Sequence, residues 1–305
     1  MRRAAEHRVT MTRLTFPLPG NEAFASALAA ACGGECGRIE TRHFPYGDSY
    51  VRLHGDPAGR VVDLVCTLAR PDAAFLPLVF AADAARELGA REVNLVAPYL
   101  AYMRQDARFQ PGESITSLSF ARLLSSTFDR VLTVDPHLHR HPALAALYTT
   151  TTTTLHAAPL LADWIAANVE APLVIGPDSE SEQWAGAIAA RIGAPHVVLA
   201  KTRHGDRSVE IAVPDLSAFR SHTPVLVDDI ASSGRTLMVA ARQLVEQRLR
   251  QPECVVVHAL FAEDAWSALL PLFARITSTD AVPHQSNRIA LAPLVADALL
   301  RGLHD

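Results

Sequence analysis

The chain has 305 residues, 49% of them apolar, and a formal net charge of −4 at neutral pH. This is about twice a typical domain length, with enough apolar material for two cores. The mild acidity argues against a polyanion-binding surface and so against a nucleic-acid partner. No apolar run approaches the roughly 18 residues of a membrane span, so no membrane partner is expected.

In chain order, apolar runs predict strands at residues 60–68, 92–97 and 130–134, with helical patterns at 73–88 and 114–126 between them. Beyond residue 155, strands are predicted at 173–176, 196–200, 224–227, 253–260 and 275–278. They alternate with helical patterns at 159–168, 182–192, 234–247 and 264–272. Such alternation calls for an α/β fold whose parallel sheets are covered by helices on both faces. A threonine run, residues 149–154, disfavours helix because χ1 is restricted, and suits an extended crossover. The division is therefore placed there, with an N-terminal domain over 13–150 and a C-terminal domain over 151–305. The similar patterning of the halves suggests a duplicated fold. The basic stretch MRRAAEHRVTMTRL lacks a hydrophobic segment and reads as an extension rather than a secretory signal. Cys32, Cys36, Cys66 and Cys254 make no disulfide or zinc framework and read as reduced thiols of a cytoplasmic protein.

The stretch VLVDDIASSGRTL, residues 225–237, is the most informative. Apolar residues run into the carboxylates Asp228 and Asp229, a Ser/Gly turn follows, and a helical pattern begins. Backbone N–H groups at such a turn, backed by the helix dipole, seat a phosphate dianion. Ser232, Ser233 and Thr236 add hydroxyl donors, and Gly234 lets the backbone approach closely. The carboxylates fall where sugar hydroxyls or a hydrated Mg²⁺ would sit.

Four further segments carry polar chemistry. In APYLAYMRQDARFQPGESIT, residues 97–116, Arg104 and Arg108 suit bidentate phosphate contacts and Gln105 a purine edge; a solvated charged loop is the alternative. VDPHLHRHP, residues 134–142, alternates three histidines, but no supporting carboxylate or cysteine favours zinc over a single histidine near a nucleotide-bound Mg²⁺. In IGPDSESEQWA, residues 175–185, Asp178 follows a strand, as a ligand-site residue or an N-cap. In LAKTRHGDRSVEI, residues 199–211, Lys201 and Arg203 sit in a polar segment able to close over a transferring phosphoryl group or to remain a solvated hairpin.

Together these segments resemble the ribose-phosphate diphosphokinases, or PRPP synthetases, with the motifs in that family's order across about residues 13–300. PYLAYMRQDARF is similar to the family's ATP-site stretch, and FPYGDSYVR, residues 44–52, to its Phe-x-Asp-Gly-Glu segment, which meets the adenine across a subunit interface. DPH, residues 135–137, matches the segment whose histidine serves Mg–ATP, and PDSES the position of a second Mg-linked aspartate. KTRHGDRSVEI resembles the catalytic loop and DDIASSGRT the ribose 5-phosphate loop.

The resemblance implies two tandem phosphoribosyltransferase-type domains, each a mostly parallel sheet flanked by helices, in a homodimer or higher homo-oligomer. It implies transfer of diphosphate from ATP to the C1 hydroxyl of ribose 5-phosphate, giving phosphoribosyl diphosphate (PRPP) and AMP, with Mg²⁺ as cofactor. Phe44, Asp48, Arg104, Gln105 and Asp106 would then bind ATP. Asp228, Asp229, Ser232, Ser233, Gly234 and Thr236 would bind ribose 5-phosphate, Lys201 and Arg203 would be catalytic, and His137 and Asp178 would serve the metal. Departures from the family pattern are Tyr46 and Asp48 in the adenine segment, Glu180 and Glu182 after Asp178, and Arg235 in the phosphate loop. A PRPP-consuming phosphoribosyltransferase and a non-catalytic regulatory homologue are the alternatives.

Overall fold

The computed structural model describes residues 12–138, 140–178, 181–204, 208–262 and 264–302. They divide into two compact units, one built from residues up to Thr154 together with those from Ala292 onward, the other spanning Leu155 to Leu291.

The first unit begins with β1 (Arg13–Pro17), α1 (Glu22–Ala31) and β2 (Glu35–Cys36). A hairpin of β3 (Arg38–His43) and β4 (Ser49–His54) follows, then β5 (Val61–Val65), α2 (Pro71–Glu87), β6 (Glu92–Ala97), α3 (Thr116–Thr127), β7 (Arg130–Val134) and β8 (Thr151–Leu155). The sheet order is β2-β1-β5-β6-β7-β8, and β1 pairs in parallel with β2 and β5, as do β5 with β6 and β6 with β7. Every residue of β1 and β5 is buried, which fits a sheet covered on both faces. Proline at the first position of α2 starts that helix with φ already set.

The second unit holds α4 (Ala158–Asn168), β9 (Pro172–Gly176), α5 (Glu182–Ile192), β10 (His196–Val198), a hairpin of β11 (Ala200–His204) and β12 (Ser208–Ala212), and β13 (Thr223–Ala231). It continues with α6 (Arg235–Glu246), β14 (Glu253–Ala259), α7 (Ala265–Leu269), β15 (Arg275–Thr279) and β16 (Asn287–Ile289). Its sheet, β10-β9-β13-β14-β15-β16, is parallel throughout. The last helix, α8 (Ala292–Arg301), belongs to the first unit and packs on α1.

The domain division expected at residue 150 therefore shifts. The threonine run supplies β8, an edge strand of the first sheet, instead of a linker. Residues 292–302 belong with the first unit, where Arg13 and Arg130 reach toward the carbonyls of Leu299 and Gly302. The strand predicted at 60–68 is shorter, and β1, β2, β16 and the β3–β4 hairpin were not expected, whereas β10 falls within the strand predicted at 196–200 and the β11–β12 hairpin matches the alternative given for residues 199–211. Among the described residues, no helix is long and apolar enough to cross a membrane.

Candidate active site

In the second sheet the chain moves outward from β9 to β10, then returns to place β13 on the other side of β9. Ligands of open α/β sheets bind beyond the carboxyl ends of strands at such a switch point. Asp178 stands two residues past β9, and Asp228 and Asp229 lie near the end of β13, on the paired neighbouring strand.

The sequence placed the acid pair after the strand, but β13 continues through it. Asp228 is in register with Val256, Ile230 with His258 and Ala231 with Ala259. The Asp229 N–H donates to Asp228 Oδ1 at 3.0 Å. Burial pushes the Asp228 carboxyl well above the ordinary carboxylate range, and the charges of Asp229 and Asp178 push it the same way. All three carboxylates therefore share one electrostatic environment.

The turn after β13 is held from below. The N–H groups of Leu260 and Phe261 donate to Ala231 O at 3.1 and 2.8 Å, and that of Ala262 to Ser232 O at 3.1 Å. Gly234 adopts φ +67° and caps α6, which starts at Arg235. Ser233 is exposed, and Ser232 and Thr236 are partly so. The opening N–H groups of a helix have no intrahelical acceptor, so this turn has the makings of an anion seat. On β9's side, Ser181 Oγ donates to Asp178 O at 2.5 Å and fixes the backbone there. Lys201 and Arg203 lie on β11, in backbone register with Ile211 and Val209. Their side chains, with residues 179, 180 and 205–207, are outside the described part, which leaves Glu180 undescribed.

In the first unit, Arg104, Gln105 and Asp106 follow β6 and His137 follows the neighbouring parallel strand β7, so both loops leave the carboxyl end of the sheet. Arg140 Nη1 donates to Asp106 Oδ1 at 2.7 Å, joining the two loops. Arg140 also lies 5.3 Å from the centre of the Phe109 ring. Ser117 N–H donates to Gln105 O at 3.3 Å, and Arg108 Nε to Glu113 O at 2.8 Å. Arg104 is exposed. Phe44 and Asp48 bracket the tip of the β3–β4 hairpin, where the Phe44 N–H donates to Asp48 O at 2.8 Å. Of the alternating histidines, His139 is outside the described residues. Among the described residues, no group of three His, Cys, Asp or Glu side chains is placed to hold a metal ion.

The N-terminal domain of ribose phosphate pyrophosphokinase matches residues 14–127, and the phosphoribosyl transferase domain matches residues 146–267. The ribose-phosphate pyrophosphokinase of Methanopyrus kandleri is 34% identical over 276 residues, covering 89% of this chain and 93% of that protein. The chain belongs to the ribose-phosphate pyrophosphokinase family. The Methanosarcina acetivorans relative of the same name is 31% identical over 93% of this chain and 98% of its own length. The crystal structure of phosphoribosylpyrophosphate synthetase from Mycobacterium smegmatis superposes with a TM-score of 0.82 at 22% identity, covering 96% of this chain and 99% of that one. The fold is thus two tandem phosphoribosyltransferase-type domains with mostly parallel sheets, as the resemblance implied.

Two features of this pyrophosphokinase-family chain were missed in the sequence. Arg140, the partner of Asp106, was overlooked because 34 residues separate them. The second was open to simple counting: Lys201 is the single lysine among 28 Lys and Arg residues. Arginine supplies every other fixed cation. That one compact ammonium falls in the KTR segment, whose lysine the family resemblance singles out.

Proposed function

We infer that this chain is a ribose-phosphate diphosphokinase, moving the β,γ-diphosphate of ATP to ribose 5-phosphate to give PRPP and AMP. The carrying observation is the junction of β13 and α6: an acid pair beside a Ser/Gly turn at a helix start, with Asp178 across the switch point.

In this reading the turn from Ser232 to Thr236 binds the 5-phosphate, while Asp228 and Asp229 orient the ribose hydroxyls. Phe44, Asp48, Arg104, Gln105 and Asp106 bind ATP, with the nucleotide site completed by a second copy of the chain. The C1 hydroxyl oxygen attacks the β-phosphorus in line. The bond from that phosphorus to the oxygen bridging to the α-phosphate breaks, and AMP leaves with the electron pair. The hydroxyl proton passes to solvent. Positioning and charge stabilisation supply most of such catalysis, and Lys201 and Arg203 oppose the charge building on the transferring group and the departing oxygen.

The donor chemistry fits Mg²⁺. Three mutually repelling carboxylates, one held above its ordinary range, welcome a hard cation. Mg²⁺ keeps waters and substrate phosphates among its ligands and needs only one or two carboxylates from the protein. Asp178, with Asp228 or Asp229, would hold it on the sugar side, and His137 would support the nucleotide-bound ion. When bound, Mg²⁺ neutralises triphosphate charge.

The deciding experiment is a coupled assay of AMP formation from ATP and ribose 5-phosphate with Mg²⁺, with and without inorganic phosphate. Turnover dependent on both substrates is expected. Nucleobase-dependent consumption of PRPP without AMP formation from ATP would replace this reading with a phosphoribosyltransferase.

A further inference from the structure

The tip of the β3–β4 hairpin carries a cluster of flat groups, in which the Tyr50 ring stands at 86° to that of Phe44. The guanidinium carbon of Arg42 lies 4.1 Å from the centre of the Tyr50 ring and 4.8 Å from that of Phe44. Next to Phe44 comes Tyr46, whose ring is within 8° of parallel, with centroids 6.1 Å apart. That separation falls in the offset-stacking range. The turn is fixed by two backbone bonds, Phe44 N–H to Asp48 O and Gly47 N–H to Phe44 O, at 2.8 and 2.9 Å. Phe44 is 36% exposed and Tyr46 77% exposed. A tyrosine so open that is still held parallel to its neighbour has no core to serve. The Arg42 guanidinium is taken up by Phe44 and Tyr50, which leaves Tyr46 as the most exposed ring of the tip.

We propose that Tyr46 is a base-stacking residue, presenting the outer face of its stack with Phe44 to the purine of the nucleotide donor and so helping to select it. This deepens the proposed function and rests on its placing of the nucleotide base at Phe44. A phenol at position 46 gives up polar recognition of the base edge and replaces it with area on the base face. Recognition of that kind grades bases by stacking strength, so purines should be favoured over pyrimidines, with little discrimination between adenine and guanine.

The test is equilibrium binding by calorimetry to the full-length chain and to Tyr46→Ala and Tyr46→Phe, using ATP, CTP and inorganic tripolyphosphate as probes. Truncation to alanine should weaken ATP binding about tenfold, within the range of one lost base–aromatic stack. It should narrow the gap between ATP and CTP and leave tripolyphosphate unchanged, while Tyr46→Phe should stay within about twofold of the parent. Unchanged ATP affinity in Tyr46→Ala would overturn the proposal. So would an equal loss for ATP and tripolyphosphate, or a parent chain that binds ATP no better than tripolyphosphate. A changed elution volume for Tyr46→Ala with ATP and tripolyphosphate weakened alike would make Tyr46 a packing residue between copies and also overturn it. Absence of AMP formation with ATP stacking intact would sink the diphosphokinase reading and leave the stacking assignment standing.

Discussion

Gly234 and Leu269 meet so closely that a Cβ on the glycine would stand 2.6 Å from Leu269 Cδ1. The same glycine has φ +67°, where an L side chain costs about 1–2 kcal/mol. Gly234→Ala should therefore lower the unfolding temperature and raise the KM for ribose 5-phosphate, because the anion seat cannot keep its shape. In a double-mutant cycle with Leu269→Ala, the overlap part of the loss should be relieved and the backbone part should remain. Additive losses measured by thermal denaturation would argue that the contact does not strain the turn.

Lys201→Arg keeps the charge and changes its shape. If the compact ammonium opposes charge on the moving diphosphate, this variant and Lys201→Ala should both lose about 10²–10³ in kcat, with each KM moving only a few-fold. Steady-state kinetics checks this. Near-normal turnover in Lys201→Arg would mean that the lone lysine has no special role.

The Asp228 carboxyl has a raised folded-state pKa through burial and its acidic neighbours. The folded chain then holds that proton more tightly than the unfolded chain, so stability falls as pH climbs from the ordinary value of 3.8 through the raised one. Asp228→Asn removes that dependence. Its unfolding temperature without Mg²⁺ should gain on the parent's as pH rises through this window. Parallel curves from differential scanning would refute the assignment.

Thr236→Val removes one hydroxyl at the start of α6, and should weaken ribose 5-phosphate binding by about 1–2 kcal/mol. Asp229→Asn should impair use of the sugar without unfolding the chain. Titration of ribose 5-phosphate against ribose separates the two roles. The Thr236 effect should vanish for the unphosphorylated sugar, and the Asp229 effect should persist.

Arg13 and Asp63 form a buried bidentate pair, with donor distances of 2.7 and 2.6 Å and exposures of 4% and 0%. Asn94 Nδ2 also donates to Asp63 Oδ1 at 3.2 Å. Asp63→Ala strands a guanidinium in the core and should cost about 3–5 kcal/mol. Replacing both partners with apolar residues of similar size should recover most of that, as chemical denaturation would report.

What the sequence made legible follows from how local each feature is. The acids, the Ser/Gly turn and α6 are contiguous within about a dozen residues, so that candidate site stood out. β13 was still ended too early at residue 227, because a carboxylate pair looks like a strand terminus. Pairing with β14 carries the backbone past the pair, and the raised Asp228 pKa is the cost of keeping it there. The β3–β4 hairpin was invisible as secondary structure because RIETRH and SYVRLH are half exposed and polar. Cross-strand pairing and the packing of α2 on β4 hold it in place of an apolar run. The Arg13–Asp63 pair spans 50 residues and leaves no local trace in VVDLV beyond one odd carboxylate.

The return of α8 to the first unit has a consequence for biosynthesis. Residues 155–291 form an insertion within a unit whose helix α8 is translated after them. A chain emerging from the ribosome can complete its second sheet while the first still lacks α8, the helix that packs on α1 and offers the Leu299 carbonyl to buried Arg13. The order of folding would then run against the order of synthesis, with the middle maturing before the beginning. A released chain truncated after residue 291 should carry a protease-resistant second unit and a still-cleavable first one.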